Sequence, residues 1–376
     1  MQIADVKSGE KLILVTWKDG SKTEFPFIWL RDNDANELHP DTRERTFDLT
    51  TVSLEIHPEK TEFTSDALIV EWQDKADASI YTAQWLAVHR PGSAAHDPSV
   101  VTQKQWTAAT LPAIPYFDAT SCRESAAVLC DALQTVKRTG LIIFTDLQDD
   151  LSAGKTFGDI IGFKRRTNFG LMFEVVSEPD PVNLAYTALA LPLHTDLPNQ
   201  VSVPDYQFLH CYRNDAVGGD SVFADGFSIC ADLGKEDPDK LALLTSVAVP
   251  WRYHDDTCDI RFHRPIVSQK PDGDFDGIVF NAHLADVPDM EADVLYDFYA
   301  AYRDLMQRIR DPKYSLHVAL EPGQMVMFDN HRVLHSRTEF DPSTGNRHLR
   351  GFYIERNEID SRIRVMAREM SNSNND

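Results

Sequence analysis

The sequence predicts a mainly β protein, with a small N-terminal β-rich domain and a larger domain that forms a β-sandwich or barrel. Beyond position 140, short runs of β-branched and aromatic residues alternate with turns, and helical patterns are few. The length of 376 residues fits one large or two unequal domains. Residues 87–100 are rich in Pro, Gly, Ser and Ala, which is typical of a linker. We therefore predict domains at 1–92 and 93–376.

The N-terminal domain contains a weak internal repeat. Residues 12–30 and 68–86 each contain a β-branched run that ends in Trp, a polar turn, a second strand and a Trp-Leu pair. Residues 18–21 (KDGS) are typical of a hairpin turn, because glycine readily takes a positive φ. This pattern predicts a small antiparallel β domain. We expect its four tryptophans to pack in the core: Trp17, Trp29, Trp72 and Trp85.

Two segments of the larger domain have the spacing of amphipathic helices. Residues 121–140 carry apolar side chains at helical spacing and end in Gly140, a residue favoured just after a helix. The apolar run LIIFTDL that follows predicts a buried strand. In residues 292–311, tyrosines and leucines recur every three or four positions, which predicts a second helix.

Composition excludes several classes of partner. Acidic residues outnumber basic ones 59 to 37, giving a net charge of −22. This balance argues against nucleic acids and anionic membranes, which are bound through Lys and Arg. The N-terminus shows no signal-peptide pattern and no run approaches about 18 apolar residues. Five scattered cysteines without a CxxC motif fit free thiols. We therefore expect a cytoplasmic protein.

The segment LPLHTDLPNQ places His194 and Asp196 two residues apart in an apolar strand, so both side chains point to the same face. A buried carboxylate has to be paired or bound to a cation. Alone, this pair more often marks an ion pair or a hydrogen-bonded core histidine. With His335 further along, it matches the two-histidine, one-carboxylate triad of non-haem Fe(II). Zinc more often takes His and Cys, or three His. His331 is the alternative third ligand.

Arg347 follows His335 by 12 positions, and an arginine fork can bind a carboxylate through two hydrogen bonds. It could therefore anchor the distal carboxylate of a dicarboxylate cosubstrate. Arg350 is the alternative, although strand alternation puts it on the opposite face from Arg347. In VGGDSVFADG, Ser221 could add a hydroxyl to the same anion site, and a simple hairpin explains that segment nearly as well.

Several separated motifs resemble the γ-butyrobetaine hydroxylase branch of the Fe(II)/2-oxoglutarate dioxygenases. They are FPFIWLRDN, LAYTALALPLHTDLP, FLHC, VGGDSVFADGF and FDNHRVLHSR followed by NRHLRGFY. The resemblance covers nearly the whole chain. It implies a double-stranded β-helix (jelly-roll) catalytic domain with flanking helices, and a homodimer. It also implies iron on His194, Asp196 and His335, and 2-oxoglutarate held by Arg347.

The same resemblance implies the remaining cofactors. O₂ is consumed with 2-oxoglutarate, ascorbate is an optional stimulant, and no catalytic residue is needed beyond the metal ligands. Animal members of this branch bind zinc through cysteines that follow the WLRDN segment. Here that segment continues without cysteine, so we predict no structural zinc.

Substrates of this family carry a trimethylammonium group, which aromatic faces recognise. The resemblance assigns the aromatic cage to Phe169, Phe173, Tyr186 and Tyr353, and the partners of the substrate anion to Asn183 and Asn281. Phe169 and Phe173 are four residues apart, so a helical core stripe is the alternative for them.

The chain departs from the family after Asn281, where it reads AHLADVPD. Because His283 offers an extra donor, we expect 2-(trimethylammonio)ethylphosphonate slightly ahead of γ-butyrobetaine. The first alternative is a γ-butyrobetaine hydroxylase of carnitine biosynthesis. Further alternatives are a hydroxylase of trimethyl-lysine or of a sulfonate, a zinc hydrolase, and a non-catalytic jelly-roll protein that binds quaternary ammonium groups.

Overall fold

The computed structural model of the protein describes residues 1–93, 96–147, 150–176 and 187–373. The chain forms two compact units, residues 1–97 and residues 98–376. Strands dominate both units, so the prediction of a mainly β fold is confirmed. Among the described residues, no helix is both long and apolar enough to cross a membrane.

The N-terminal unit consists of two three-stranded antiparallel sheets, each followed by a short helix. The first copy contains β1 (Ile3–Ser8), β2 (Leu12–Trp17), β3 (Lys22–Pro26) and α1 (Phe27–Asp32). The second contains β4 (Pro58–Phe63), β5 (Ala67–Trp72), β6 (Ser79–Thr82) and α2 (Ala83–Val88). The sequence repeat is therefore a structural repeat, and its Trp-Leu pairs lie in the two helices.

Two of the four tryptophans of this unit pack in the core as predicted, and the other two lie at its edge. Trp17 and Trp72, at the ends of β2 and β5, are fully buried in one apolar cluster. Trp29 and Trp85 are half-buried at its edge, with their ring centroids 5.4 Å apart. The predicted hairpin between β2 and β3 is also present, with Gly20 at a φ of 84°.

Helices surround the sheets of the larger unit. They are α3 (Ala119–Glu124), α4 (Ala126–Thr139), α5 (Ala153–Asp159), α6 (Gly226–Glu236), α7 (Pro238–Ser246), α8 (Ala292–Ile309) and α9 (Arg356–Ser373). The helix predicted at 121–140 is two helices, because Ser125 leaves the helical conformation and caps α4 by accepting a hydrogen bond from the Val128 N–H. Gly140 ends α4 in the left-handed region, as predicted.

Two sheets form the body of this unit. The larger has the order β10-β23-β12-β20-β8-β7, with β9 also paired to β23. Its strands are β7 (Tyr116–Asp118), β8 (Leu141–Thr145), β9 (Lys164–Arg165), β10 (Phe173–Val175), β12 (Tyr206–Asn214), β20 (Met325–Asp329) and β23 (Arg347–Ile354). The smaller has the order β11-β21-β14-β19, formed by β11 (Leu191–His194), β14 (Ser221–Asp225), β19 (Ser315–Val318) and β21 (Val333–Arg337).

The remaining strands of the larger unit's described residues form three short pairs. They are β13 (Val217–Gly218) with β22 (Phe340–Asp341), β15 (Val249–His254) with β16 (Asp259–Arg264), and β17 (Val267–Gln269) with β18 (Phe275–Ile278). Each pair is antiparallel and forms a separate two-stranded sheet.

Strand alternation explains how the two sheets pack. In β20, Met325 and Met327 face α4 and α9, whereas Val326 and Phe328 face the smaller sheet. Phe328 meets Phe223 of β14, with ring centroids 5.5 Å apart. The outer face of the smaller sheet packs against α6, α7 and α8. This arrangement of two packed sheets with flanking helices confirms the predicted jelly roll.

Candidate metal centre and active site

His194, Asp196 and His335 lie together on the smaller sheet. His194 ends β11 and stands directly opposite His335 of β21, and Asp196 follows two residues later. Asp196 Oδ1 lies 3.4 Å from His194 Nε2 and 3.7 Å from His335 Nε2. The three ligand atoms, one from each residue, all lie within 4.8 Å of one another. Among the described residues, no other trio of His, Cys, Asp or Glu is close enough to share an ion.

The protonation of these groups suits a divalent metal. His194 Nδ1 lies 2.8 Å from the Pro192 carbonyl, which can only accept, so Nδ1–H donates there and Nε2 is the ring nitrogen that faces Asp196. Burial lowers the pKa of His335 to about 3, which leaves its ring neutral. Although burial opposes ionisation of Asp196, the neighbouring histidines and the Tyr353 hydroxyl hold its pKa below the ordinary value. Two imidazoles and one carboxylate match the donor set of the Fe(II) triad.

The backbone of Asp196 is held by a buried amide, Asn330. Asn330 Oδ1 accepts a hydrogen bond from the Asp196 N–H at 2.7 Å, and its Nδ2 donates to the Asp196 carbonyl at 3.1 Å. The two residues that flank Asn330 make other contacts. Asp329 pairs with Arg356, and His331, the alternative third ligand, lies 3.1 Å from Asp205.

A cavity of about 300 Å³ opens onto the triad between the two sheets. Six further predicted site residues line it together with the three residues of the triad: Phe169, Phe173, Ser221, Asn281, Arg347 and Tyr353. The structure thus brings together residues from both sheets that are far apart in the chain. The other two predicted residues, Asn183 and Tyr186, lie outside the described residues.

The basic end of the cavity is built around Arg347, the first residue of β23. Its side chain is 8% exposed, and its Nε donates to the Gly219 carbonyl at 3.0 Å. Gly219 has a φ of +78°, and a Cβ there would lie 2.7 Å from Arg347 Cδ. Glycine is thus needed beside the guanidinium. Ser221 also lines this end, two residues further along.

Arg337 is a second buried arginine at this end, which the sequence analysis did not single out. It lines the cavity and stands opposite Ser221 in the β14–β21 pairing. Its Nη2 donates to the carbonyls of Thr187 and Leu189. Burial lowers the pKa of Arg337 to about 10, so it stays charged at neutral pH. The signal was available, because Arg337 follows His335 by two positions and so shares its face of the strand.

The apolar side of the cavity is formed by two pairs of aromatic rings. Phe173 stacks on Tyr353 with centroids 5.2 Å apart, and Phe169 meets the edge of Tyr253 at 5.3 Å. Phe173 lies in β10 and Phe169 in the preceding turn, so the helical alternative for this pair is wrong. Tyr253 was missed because β15 carries no motif that marks one of its side chains as a site residue.

Asn281 and His283 line the same cavity as the triad. Asn281 Oδ1 accepts the His283 N–H at 3.1 Å, and its Nδ2 points to the Thr195 carbonyl at 3.4 Å. Burial and the nearby His194 lower the pKa of His283. Its ring is therefore neutral and offers one N–H donor to the cavity.

Comparisons with known proteins agree with this geometry. Residues 109–353 match the family described as taurine catabolism dioxygenase TauD, TfdA, and residues 4–87 match the N-terminal region described as γ-butyrobetaine hydroxylase-like. The γ-butyrobetaine dioxygenase of Pseudomonas sp. strain AK-1 is 35% identical over 377 residues, covering 97% of this chain and 96% of that one. The human γ-butyrobetaine dioxygenase is 27% identical, covering 100% and 99%.

A further relative, the mitochondrial trimethyllysine dioxygenase of Gallus gallus, is 27% identical, covering 91% of this chain and 83% of that one. The similarity to the Pseudomonas relative spans both units of the chain, and the TauD, TfdA match contains all three residues of the triad. The prediction of an iron- and 2-oxoglutarate-dependent dioxygenase is therefore confirmed: the chain belongs to the TauD/TfdA dioxygenase family, in its γ-butyrobetaine hydroxylase-like branch.

Proposed function

We propose that this dioxygenase hydroxylates a small zwitterion with a trimethylammonium group at one end and an anion at the other, with γ-butyrobetaine as the leading candidate. One observation carries the proposal: a single cavity joins the His-Asp-His triad to four aromatic rings. A quaternary ammonium cannot donate hydrogen bonds, so aromatic faces are its natural partners. The names of the relatives favour γ-butyrobetaine.

His194, Asp196 and His335 would hold the ferrous ion and leave positions open beside it. With O₂ and 2-oxoglutarate, the iron supplies the oxidising power that inserts one oxygen atom into a C–H bond, while 2-oxoglutarate is converted to succinate and CO₂. The protein's own groups bind, orient and shield the reactants. No side chain has to act as a general acid or base.

Arg347 and Ser221 would bind the distal carboxylate of 2-oxoglutarate. The support is chemical: Arg347 is a buried cation, and no carboxylate of the described residues lies within 4.0 Å of it. A guanidinium fork and a hydroxyl together match the geometry of a carboxylate. Arg337 adds a second positive charge at the same end of the cavity.

The substrate's ammonium group would lie among the four rings, with Phe169 and Tyr253 on one side and Phe173 and Tyr353 on the other. Tyr253 would add a third tyrosine to a cage that the sequence analysis built on two phenylalanines and two tyrosines. The anion of the substrate would then meet Asn281.

The second candidate is 2-(trimethylammonio)ethylphosphonate, which the sequence analysis placed slightly first. The relatives' names do not support that order. One observation favours the phosphonate: the neutral ring of His283 lines the cavity beside Asn281 and can donate to the extra oxygen of a tetrahedral anion.

Turnover assays separate these possibilities. The protein, reconstituted with Fe(II), ascorbate and 2-oxoglutarate, is given γ-butyrobetaine, the phosphonate or trimethyl-lysine, and succinate and hydroxylated product are both quantified. 5,5-Dimethylhexanoate, which has the shape of γ-butyrobetaine without its positive charge, is the matched control. We expect it to bind about 30-fold more weakly, since a desolvated cation–π contact contributes about 2 kcal/mol.

Two outcomes decide between the substrates. A higher kcat/KM for γ-butyrobetaine than for the phosphonate identifies the carboxylate compound as the substrate. Higher kcat/KM for the phosphonate, lost selectively in His283→Ala, assigns the second candidate. Equal binding of the charged compound and its neutral analogue would show that the aromatic rings do not recognise a cation, and the proposal would fail.

A further inference from the structure

The two oxygens of Asp196 face different partners. Oδ1 points toward the two histidines, at 3.4 Å from His194 Nε2 and 3.7 Å from His335 Nε2. Oδ2 accepts a hydrogen bond from the Tyr353 hydroxyl at 2.7 Å. Hydrogen bonds to an ionised carboxylate are among the strongest in proteins, so this contact is able to fix which oxygen faces the metal.

The ring of Tyr353 belongs to the substrate side of the cavity. It is 4% exposed, lines the cavity and stacks on Phe173 at an angle of 30°. Phe173 in turn packs against Gly351, where an added Cβ would be 2.2 Å from its Cζ. The Tyr353 ring is therefore packed against Phe173, while its hydroxyl is bonded to Asp196.

We propose that Tyr353 is a positioning residue that links the substrate cage to the metal centre: its hydroxyl reserves Oδ2, so that Asp196 offers the metal one oxygen only, while its ring contacts the substrate's cationic group. The part of this inference that concerns the substrate rests on the proposed function. The part that concerns Asp196 depends only on the triad and its hydrogen bond.

Restricting Asp196 to one oxygen matters for this class of metal site. A facial triad works because three positions remain open, two for the chelating 2-oxo acid and one for O₂. A carboxylate that bound through both oxygens would occupy one of them. Removing a side chain that hydrogen-bonds to a metal ligand typically lowers metal affinity or activity 10- to 100-fold.

The substitution Tyr353→Phe tests the proposal, because it keeps the ring and removes the hydroxyl. Tyr314→Phe is the matched control. The Tyr314 hydroxyl donates to Asp232 Oδ2 at 2.8 Å, so Tyr314→Phe also removes a tyrosine–carboxylate hydrogen bond. Tyr314 belongs to the apolar cluster around α6, α7 and α8 and does not line the cavity. Affinity for Mn(II) is measured from the electron paramagnetic resonance signal of free Mn(II), without 2-oxoglutarate or substrate. The visible spectrum of bound Co(II) reports coordination, and thermal melting reports stability.

We expect Tyr353→Phe to weaken Mn(II) binding about 10- to 100-fold and to change the Co(II) spectrum. Its affinity for γ-butyrobetaine, measured anaerobically at saturating metal, should stay within about threefold of the wild type because the ring remains. Tyr314→Phe should melt at a lower temperature with wild-type Mn(II) affinity and Co(II) spectrum. If Tyr353→Phe does not fold, 4-methylphenylalanine in place of Tyr353 fills the same space without a donor and should give the same two metal effects.

The inference would be overturned if the protein without the Tyr353 hydroxyl bound Mn(II) as tightly as the wild type and gave the same Co(II) spectrum. Failure of the proposed function looks different: the wild type would then oxidise none of the trimethylammonium compounds, whatever the metal measurements give. A Tyr353→Phe protein with normal metal binding and lost substrate affinity would likewise reject the linking role and leave only a cage residue.

Discussion

Replacing Arg347 by alanine removes the positive charge that we assign to the cosubstrate. The side chain is 8% exposed, and among the described residues no carboxylate lies within ion-pair distance. Burial, together with the charge of Arg337, lowers the pKa of Arg347 to about 10, so it is protonated at neutral pH. A buried, charged guanidinium without an acidic partner is expected to gain one when 2-oxoglutarate binds.

The size of the effect follows from this environment. Removing one partner of a buried, hydrogen-bonded charge pair costs about 2–5 kcal/mol. Because Arg337 remains nearby and solvent can enter the emptied space, we expect the lower half of that range, about 2–3 kcal/mol. That corresponds to a rise of about 30- to 150-fold in the KM for 2-oxoglutarate. Arg347→Lys keeps the charge and loses the fork, so its rise should be smaller.

The assay is succinate formation at saturating substrate with 2-oxoglutarate varied. Arg350→Ala is the matched control: Arg350 lies on the same strand, and its Nε is 2.8 Å from Glu174 Oε1 in a partly exposed ion pair. Such pairs contribute about 0–1 kcal/mol, so its KM should rise less than about fivefold. An unchanged KM in Arg347→Ala, or a large rise in Arg350→Ala alone, would refute the assignment.

Three further predictions concern other parts of the site. Asn330→Ala should lower the free energy of unfolding in urea by about 3–5 kcal/mol, because the three hydrogen bonds of this buried side chain, two of them to Asp196, are lost; a loss below 1 kcal/mol would contradict this. Phe169→Ala should raise the substrate KM about 5- to 30-fold with the 2-oxoglutarate KM unchanged, and the reverse pattern would remove Phe169 from the cage. Against the effect of burial, the hydrogen bond to Asp205 raises the pKa of His331. Its stabilising charge is therefore fully present below the unfolded pKa of about 6.5 and is lost as pH rises through the folded pKa, so His331→Gln should destabilise more at pH 6 than at pH 9 in urea unfolding.

The strands and the first ligand pair could be predicted because their signals are local. In LPLHTDLP, a spacing of two within an apolar strand is enough to place His194 and Asp196 on one face. Gly140 and the hairpin at Gly20 are equally local, since a positive φ favours glycine. Helix α9 was missed although Ile359, Ile363 and Met366 are fully buried, because charged residues dominate the segment between them.

The supports of the site were missed because their partners lie far away in the chain. Asn330 and Asp196 are 134 positions apart, and no local pattern distinguishes Asn330 from the polar turn residues beside it. The Tyr353 hydroxyl reaches Asp196 across 157 positions. The sequence motif identified Tyr353 only as a ring of the aromatic cage. The hydrogen bond from its hydroxyl to Asp196 becomes apparent only in the folded structure.

The most direct test of the central claim is the anaerobic visible spectrum of the protein with Fe(II) and 2-oxoglutarate. A 2-oxo acid chelated to ferrous iron gives a metal-to-ligand charge-transfer band. If His194, Asp196 and His335 hold one iron atom with open positions beside it, the band will reach its maximum at one Fe(II) per chain and be absent in His335→Ala. A wild-type protein that binds Fe(II) without the band, or a His335→Ala protein that keeps it, would contradict the account.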